Sequence, residues 1–286
     1  MAILFGLLAA LSNAVAVTTQ HIASTSDGAQ NKGWRLVLYL AKHPLWLFGW
    51  VGLLGSLIFQ ALALHFGPLA TVQPVLIVEL VFALVLRRFW LRQEIRSLTW
   101  FAGAVTVMGL VGFLAVASPS GSPHTPTLHA WIVAIVVGAA LIAGLVLAGQ
   151  WGSPSRRAAL LATATSISWA LEACFIKATT DSFSPHGISG ALQRWPIYAF
   201  VICGIAGLLL EQSALHVGPL KFSLPFIVIL DPLVSMALGV ALYQEHFVAS
   251  STGIVVGAAA FAVTAVAVVV LTQSSPATMQ SPPRHL

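Results

Sequence analysis

The chain has 286 residues, of which 58% are hydrophobic and 7% are charged. A soluble protein of this length cannot cover its surface with so few charged side chains, so lipid is expected to surround most of the chain. The formal net charge of +5 does not indicate nucleic-acid binding, because the thirteen Lys and Arg residues are scattered among apolar segments rather than gathered on one face. Both cysteines, Cys174 and Cys203, lie inside apolar runs, which is typical of small packing residues.

Nine apolar segments are long enough to cross the hydrocarbon layer, which takes about 20 helical residues. Segment 1 resembles a signal peptide, but no Lys or Arg precedes it and it has an internal counterpart, so we expect it to be retained. The Ser- and Pro-rich tail, 273–286, is predicted to be disordered and cytoplasmic. In chain order, predicted segments 1 to 9 are 2–22, 45–66, 69–86, 98–117, 128–148, 158–178, 195–217, 220–242 and 252–271.

The basic residues predict the orientation of the chain. Cytoplasmic loops carry an excess of Lys and Arg, so alternate loops should differ in these residues. One side has only Lys177 and Arg194. The distribution predicts an extracellular N-terminus and a cytoplasmic C-terminus in the plasma (inner) membrane. The other side has the remaining eleven: Lys32, Arg35, Lys42, Arg87, Arg88, Arg92, Arg96, Arg156, Arg157, Lys221 and Arg284.

An internal repeat joins the two halves of the chain. The run Ala-Leu-His-Phe-Gly-Pro-Leu at 63–69 returns as Ala-Leu-His-Val-Gly-Pro-Leu at 214–220, an offset of 151. The same offset aligns Pro74 with Pro225 and the Gln-Glu pair at 93–94 with that at 244–245. Segments 1 and 6 align at an offset of 156. Shared hydrophobicity does not produce such agreement, so the pattern indicates a duplication.

The repeat defines the predicted domain organisation. Residues 1–118 form the first repeat with segments 1 to 4, residues 119–156 form a connector with segment 5, and residues 157–272 form the second repeat. A shift of five segments turns the second copy upside down in the bilayer. The predicted fold is therefore an all-α integral membrane protein with nine transmembrane helices, arranged as two inverted four-helix repeats joined by helix 5. This architecture is common in secondary transporters that work by alternating access, although channels also use it.

Two acidic residues lie near the middle of matching segments. Glu79 is in segment 3 and Asp231 is in segment 8, at almost equivalent repeat positions. An ionisable side chain inside a membrane helix costs roughly 2.5 to 3.5 kcal/mol on insertion scales and usually faces a cavity or a partner. We predict that the pair binds a proton, a sodium ion or a cationic substrate. The alternative is a protonated carboxyl group hydrogen-bonded to a neighbouring helix.

Polar residues in segments 1 and 6 are candidates for lining a substrate path. Glu172 shares a helical face with Thr165 and Ser168, because the three residues are spaced by four and seven. Asn13 lies in the corresponding polar face of segment 1, where it offers both a donor and an acceptor. The alternative for both faces is interhelical hydrogen bonding that fixes packing.

Further candidates lie in segments 2, 3, 7 and 8. Gln60 and Glu211 occupy the same repeat position, and Glu211 is close enough to a helix end for its carboxylate to reach the membrane surface. Pro74 and Pro225 are predicted to interrupt mid-membrane helices. The freed carbonyl groups could then coordinate ions, or the interruption could act as a hinge. The alternative is a tolerated kink. The glutamates at 94 and 245 follow their helices and are interpreted as end-caps or loop contacts.

The segment 2 to segment 3 region resembles the drug/metabolite transporter superfamily, and within it the nine-helix NIPA-type magnesium transporters. The similarity rests on His-Pro-Leu-Trp at 43–46, on Phe-Gly-Pro-Leu-Ala-Thr-Val-Gln-Pro at 66–74, and on Leu-Pro at 224–225 followed by Gln-Glu at 244–245. One departure concerns the substrate. The family pattern would place an acid at Leu57 and an Asn at Gln60, so the carboxylate suited to a hard cation is missing.

The leading hypothesis is a secondary transporter of the drug/metabolite transporter type that moves a small solute by alternating access. The alternatives are a NIPA-like magnesium or divalent-cation transporter and a non-transporting membrane scaffold or assembly protein. No sequence pattern supports catalysis or nucleotide binding, so no enzyme activity and no cofactor are predicted, and metal binding is left open. The expected partners are a small-molecule or ion substrate, the lipid bilayer and a second copy in a homodimer, with no nucleic acid.

Overall fold

A computed structural model describes residues 1–24, 43–121 and 124–274 of the chain. Side chains at 24, 183–189, 191 and 274 are outside the description as well. The predicted disordered tail therefore falls almost wholly outside these ranges. The same holds for four of the basic residues used to predict orientation: Lys32, Arg35, Lys42 and Arg284.

Within these ranges, nine helices are long and apolar enough to cross a membrane, which confirms a multi-pass, all-α membrane protein. The third is divided into α3a and α3b, and a 3₁₀ turn, Leu220–Phe222, precedes α8. The helices are α1 Ala2–Ser24, α2 Pro44–Phe66, α3a Leu69–Leu76, α3b Glu79–Phe89, α4 Ser97–Ala117, α5 Leu128–Ala148, α6 Pro154–Leu192, α7 Trp195–Val217, α8 Leu224–Tyr243 and α9 Ser251–Ser274.

Helix α6 is much longer than segment 6, which was predicted at 158–178. It has 39 residues, and its membrane-crossing part is Pro154–Ser182. Hydropathy detects the part of a helix that lipid surrounds and not the polar turns that continue beyond it. A second small departure is a two-residue antiparallel pair between β1, Pro119–Ser120, and β2, His246–Phe247, which ties the loop after α4 to the loop after α8.

The two predicted hinge prolines have different surroundings. Pro74 lies inside α3a, and the helix breaks two residues later, before α3b begins. Across the break, the N–H of Ile77 donates to the carbonyl of Pro74 at 3.1 Å, a tighter pattern than that of an α-helix. Pro225 lies in the first turn of α8, so the prediction that it interrupts a helix is wrong. A first-turn proline lacks only an N–H that has no intrahelical acceptor there, and it leaves the helix intact.

The two ends of the helix bundle differ in packing. The end that contains the turn between α2 and α3a is named the Gly67 end, and the end that contains the turn between α7 and α8 is named the Gly218 end. Trp131, Phe175, Trp195 and Tyr243 form an aromatic cluster from four helices at the Gly67 end, with centroids of Trp131 and Phe175 5.2 Å apart. Aliphatic residues of α5, α6, α7 and α8 pack together nearer the Gly218 end.

Candidate functional site

Acidic side chains from three helices lie together inside the membrane-spanning region. Asp231 of α8 is close enough to Glu79 of α3b and to Glu211 of α7 to interact with both electrostatically. Glu79 also interacts with Glu211. The three residues are half-buried. The fold therefore brings Glu79 and Asp231 together, as their matched positions in the two halves predict, and adds Glu211 to the pair.

The break in the third membrane helix positions Glu79. Glu79 is the first residue of α3b, directly after the two residues that interrupt the helix. A helix N-terminus favours a negative side chain through its unpaired N–H groups and its dipole. Asn13 of α1 donates a hydrogen bond from its Nδ2 to the Glu79 Oε2 at 2.6 Å. Asn13, predicted as a lining residue, thus fixes the orientation of this carboxyl group.

Asp231 stands beside a proline that the repeat did not indicate. Pro232 lies inside α8, and as the residue after Asp231 it removes one backbone hydrogen bond of the helix. Ser235, one turn further, donates to the Asp231 Oδ1 at 3.2 Å. The Asp-Pro pair and the spacing of four between Asp231 and Ser235 are visible in the sequence and are the signals that could have located this side of the site.

Glu211 and Glu172 extend the acidic site towards α6 and α7. The indole N–H of Trp169 on α6 donates to the Glu211 carboxyl group. The Glu172 carboxyl group lies against Gly204 of α7, where its Oε1 is 3.0 Å from the position that a Cβ would occupy. Glu172 interacts electrostatically with Asp231. Trp169 was not predicted as a site residue, because nothing in the sequence pairs it with Glu211.

Two predicted features do not join the acids. Gln60 is half-buried in α2, and no hydrogen bond of the described residues links it to them. Ser168 donates to the backbone carbonyl of Cys203 on α7 at 3.0 Å, and Thr165 donates within its own helix. Both hydroxyl groups of this polar face therefore donate to backbone carbonyls, and its role in lining a substrate path stays a prediction.

Among the described residues, no Lys or Arg forms an ion pair with the acidic cluster, and the recorded ion pair is that of His65 with Asp181. No three His, Cys, Asp or Glu side chains in the described ranges are arranged to hold a metal ion. The apolar groove between α5, α6 and α8, about 460 Å³, is separate from the acids and is lined by residues such as Val133, Gly138 and Leu171.

A second group of polar contacts closes the Gly67 end. The Lys177 Nζ donates to the carbonyls of Leu64 and Gly67 at 2.8 and 3.2 Å, which caps the end of α2. The Glu245 carboxyl group accepts from the backbone N–H groups of Leu69 and Ala70 at 2.7 and 2.9 Å, which caps the start of α3a. Burial raises the pKa of Glu245, whereas the two amide groups and Lys177 lower it.

Comparison with known proteins gives one relative and no family. The chain is 29% identical over 252 residues to an uncharacterised protein of Corynebacterium glutamicum, and the similarity covers 86% of each chain. No protein-family model matches the chain, and no solved structure matches it. The similarity extends over nearly the whole length of both proteins. It assigns no activity, so the functional argument rests on the geometry of the site.

Proposed function

We propose that the chain is a secondary transporter in which two inverted four-helix repeats alternate access to a small solute, with Glu79, Asp231 and Glu211 as the coupling site. The observation that carries the proposal is the convergence of these acids from three helices inside the membrane-spanning region, where no Lys or Arg that the structure describes forms an ion pair with them. Carboxyl groups that interact electrostatically in a medium of low dielectric constant cannot all be ionised cheaply. Uptake of a proton or another cation relieves this repulsion.

Broken helices at the acids support transport over a purely structural role. Glu79 begins the second part of a divided helix, and Asp231 precedes an internal proline. Interrupted membrane helices near the midplane are a feature of secondary transporters, because they present backbone dipoles to the solute and ions. A scaffold needs no such interruption beside an acidic side chain.

Matching contacts in the two halves support the inverted repeat. A Cβ on Gly67 would meet the Ala2 methyl group, and a Cβ on Gly218 would meet the Ala158 methyl group. Both pairs obey the offsets of the sequence repeat, 151 for the glycines and 156 for the alanines. Because equivalent helices of the two copies are offset by five helices, the second copy is opposite in direction to the first.

The magnesium alternative gains no support from the site. Mg²⁺ requires near-octahedral oxygen ligands, usually including one or two carboxylates held at fixed positions. The described acids form hydrogen bonds to Asn13, Trp169 and Ser235, and no three of them are arranged around a common metal position. This arrangement fits proton coupling better than coordination of a hard divalent cation.

The test is flux into liposomes that contain the purified protein, under imposed proton, sodium or magnesium gradients and with a panel of small metabolites. We expect at least one solute to move with a proton gradient. The double variant Glu79→Gln/Asp231→Asn should lose coupled flux, while Asp181→Asn, which changes an acid outside the cluster, should keep it. Unchanged flux in the double variant would refute the coupling site. Folded wild-type protein that moves no solute under any gradient would favour the scaffold alternative.

A further inference from the structure

One indole ring of α6 packs against α7 beside an acid of the cluster. Trp169 lies against Gly207 of α7, where its nearest ring carbons are 3.1 Å from the position that a Cβ would occupy. Gly207 precedes Glu211 by about one helical turn, so the ring and the acid are on the same side of α7. The indole N–H of Trp169 donates to the Glu211 carboxyl group. The glycine therefore makes room for a donor directly beside this acid.

An equivalent donor is present in the other half of the chain. Asn13 of α1 corresponds to Trp169 of α6 at the offset of 156, which is also the offset of the matching alanine contacts at the two Gly-Pro turns. Each of the two side chains donates to an acid of the cluster, Asn13 to Glu79 and Trp169 to Glu211. At the offset of 151, however, Glu211 corresponds to the uncharged Gln60. The second half therefore has both an additional acid and a different kind of donor for it.

The hydrogen-bond partners of the acids differ in what they can do when a carboxyl group takes up a proton. Amide and hydroxyl side chains both donate and accept, whereas an indole only donates. Asn13 can therefore remain bonded to Glu79 in its ionised and in its protonated form. Ser235 can do the same for Asp231. Trp169 cannot accept from a protonated carboxyl group, and its N–H bonds more strongly to a charged oxygen than to a neutral one.

The other acids of the cluster lie within electrostatic reach of Glu211. Glu211 interacts with Glu79 of α3b and with Asp231 of α8. Glu172 of α6 interacts in turn with Asp231, and Cys203 of α7 lies close to Glu172. An ionised Glu211 repels further negative charge in a medium of low dielectric constant. A proton that enters the cluster is therefore held best on an acid that faces this charge.

We propose that Trp169 is a positioning residue that keeps Glu211 ionised as a fixed charge, so that Glu79 and Asp231 carry the exchangeable proton. The proton reaches Glu79 or Asp231 from water on one side of the membrane and leaves to water on the other side, while Glu211 keeps its charge throughout. The use of this arrangement in coupling rests on the proposed transport function. The protonation states themselves can be measured without transport.

The two donors report directly on the acids that they contact. The full-length protein in lipid nanodiscs, with isotope-labelled nitrogen in its Trp and Asn side chains, is titrated with acid and followed by NMR. Signals are assigned with Trp169→Phe and Asn13→Leu. We expect the Asn13 Nδ2–H signals to move as Glu79 takes up a proton. The Trp169 Nε1–H signal should stay in place over the same pH range.

Two substitutions at the acids establish what each signal reports. Glu211→Gln removes the charge but keeps an acceptor oxygen, so the Trp169 signal should move to a new position. Glu79→Gln should abolish the pH response of Asn13. Trp195 is the matched control, because its ring lies in the aromatic cluster at the Gly67 end. Its indole signal should be the same in both variants.

Trp169→Phe tests the positioning role itself. This variant keeps a ring against Gly207 but removes the N–H, so Glu211 should then compete with the other acids for the proton. The pH-dependent change of the Asn13 signal should therefore fall to about half. Trp195→Phe is the control and should keep the full response. If Trp169→Phe does not fold, Gly207→Ala takes its place, because the added Cβ moves the indole away from α7.

The inference fails if the Trp169 signal follows pH together with that of Asn13, because Glu211 then takes up the proton. It also fails if Glu211→Gln leaves the Trp169 signal in place, or if Trp169→Phe leaves the Asn13 response unchanged. The outcome is separate from the flux experiment. A constant Trp169 signal in a protein that moves no solute would keep the assignment of charges and reject the transport proposal. Proton-coupled flux with a Trp169 signal that follows pH would do the reverse.

Discussion

At the Gly67 end, the turn between α2 and α3a is capped from both sides, by Lys177 on the carbonyls and by Glu245 on the amides. At the Gly218 end, a turn of nearly the same sequence leads into a 3₁₀ segment, and the amides of Leu220 and Lys221 have no acceptor among the described residues. Local sequence therefore does not decide which turn is capped. Tertiary packing decides it, because Lys177 comes from α6 and Glu245 from the residues that follow α8.

The largest effect on stability is expected at Lys177, because it supplies the cation at the capped turn. Lys177→Met leaves the carbonyls of Leu64 and Gly67 without this donor. Hydrogen bonds to charged groups contribute about 1.5 to 3 kcal/mol, and we expect a loss of that order in thermal or denaturant unfolding in detergent. Lys221→Met, at the Gly218 end, is the control and should change stability by less than about 0.5 kcal/mol, since Lys221 is exposed. Equal losses in the two variants would contradict the difference between the ends.

A smaller effect is expected from filling the space at Gly239. A Cβ there would collide with the Glu245 carboxyl group and lie 3.3 Å from the Leu69 Cβ. Overpacking typically costs about 1 to 3 kcal/mol, so Gly239→Ala should lower the unfolding free energy by about that amount. Gly144→Ala is the matched control, because no atom lies within 4 Å of its added Cβ. If Gly239→Ala is as stable as Gly144→Ala, the Glu245 carboxyl group does not lie against Gly239 when the protein is in the membrane.

The smallest effect is expected from one hydroxyl group. The Tyr243 hydroxyl donates to the carbonyl of Cys174 at 2.7 Å and ties the end of α8 to α6. Tyr243→Phe keeps the ring in the aromatic cluster and should cost about 0.5 to 1.5 kcal/mol in the same unfolding assay. Tyr198→Phe removes an exposed hydroxyl that donates to Leu192, and the change should be smaller. A larger loss in Tyr198→Phe would argue against a buried hydrogen bond at Tyr243.

Much of the fold could be predicted from the sequence because lipid imposes one rule on every crossing helix. Nine apolar segments of suitable length predict nine helices, and the described residues contain nine. The same rule could not predict the extension of α6 to Leu192, because it detects only the apolar part of a helix, and the last residues of α6 lie beyond that part. The pairing of β1 with β2 was also missed, because two residues carry no periodic signal.

The candidate site was predicted in part. Matched positions in the two repeats drew attention to Glu79 and Asp231, and the fold brings them within electrostatic reach. The partners of Glu79 and Glu211 come from distant parts of the chain, and tertiary packing rather than sequence spacing determines them. The prediction that Pro225 interrupts a helix was wrong because sequence alone does not show where that helix begins. A proline marks either a break or a helix start, and only the structure of the preceding residues distinguishes the two.

The central claim of two inverted halves is tested most directly by the sidedness of the two Gly-Pro turns. His65 and His216 occupy equivalent exposed positions next to these turns, so single cysteines at His65 and at His216 form a matched pair in a background without Cys174 and Cys203. Labelling intact cells with a membrane-impermeant maleimide should modify the His65→Cys variant. The His216→Cys variant should react only after the membrane is permeabilised. Labelling of both variants from the same side would contradict the inverted repeat and the transport account built on it.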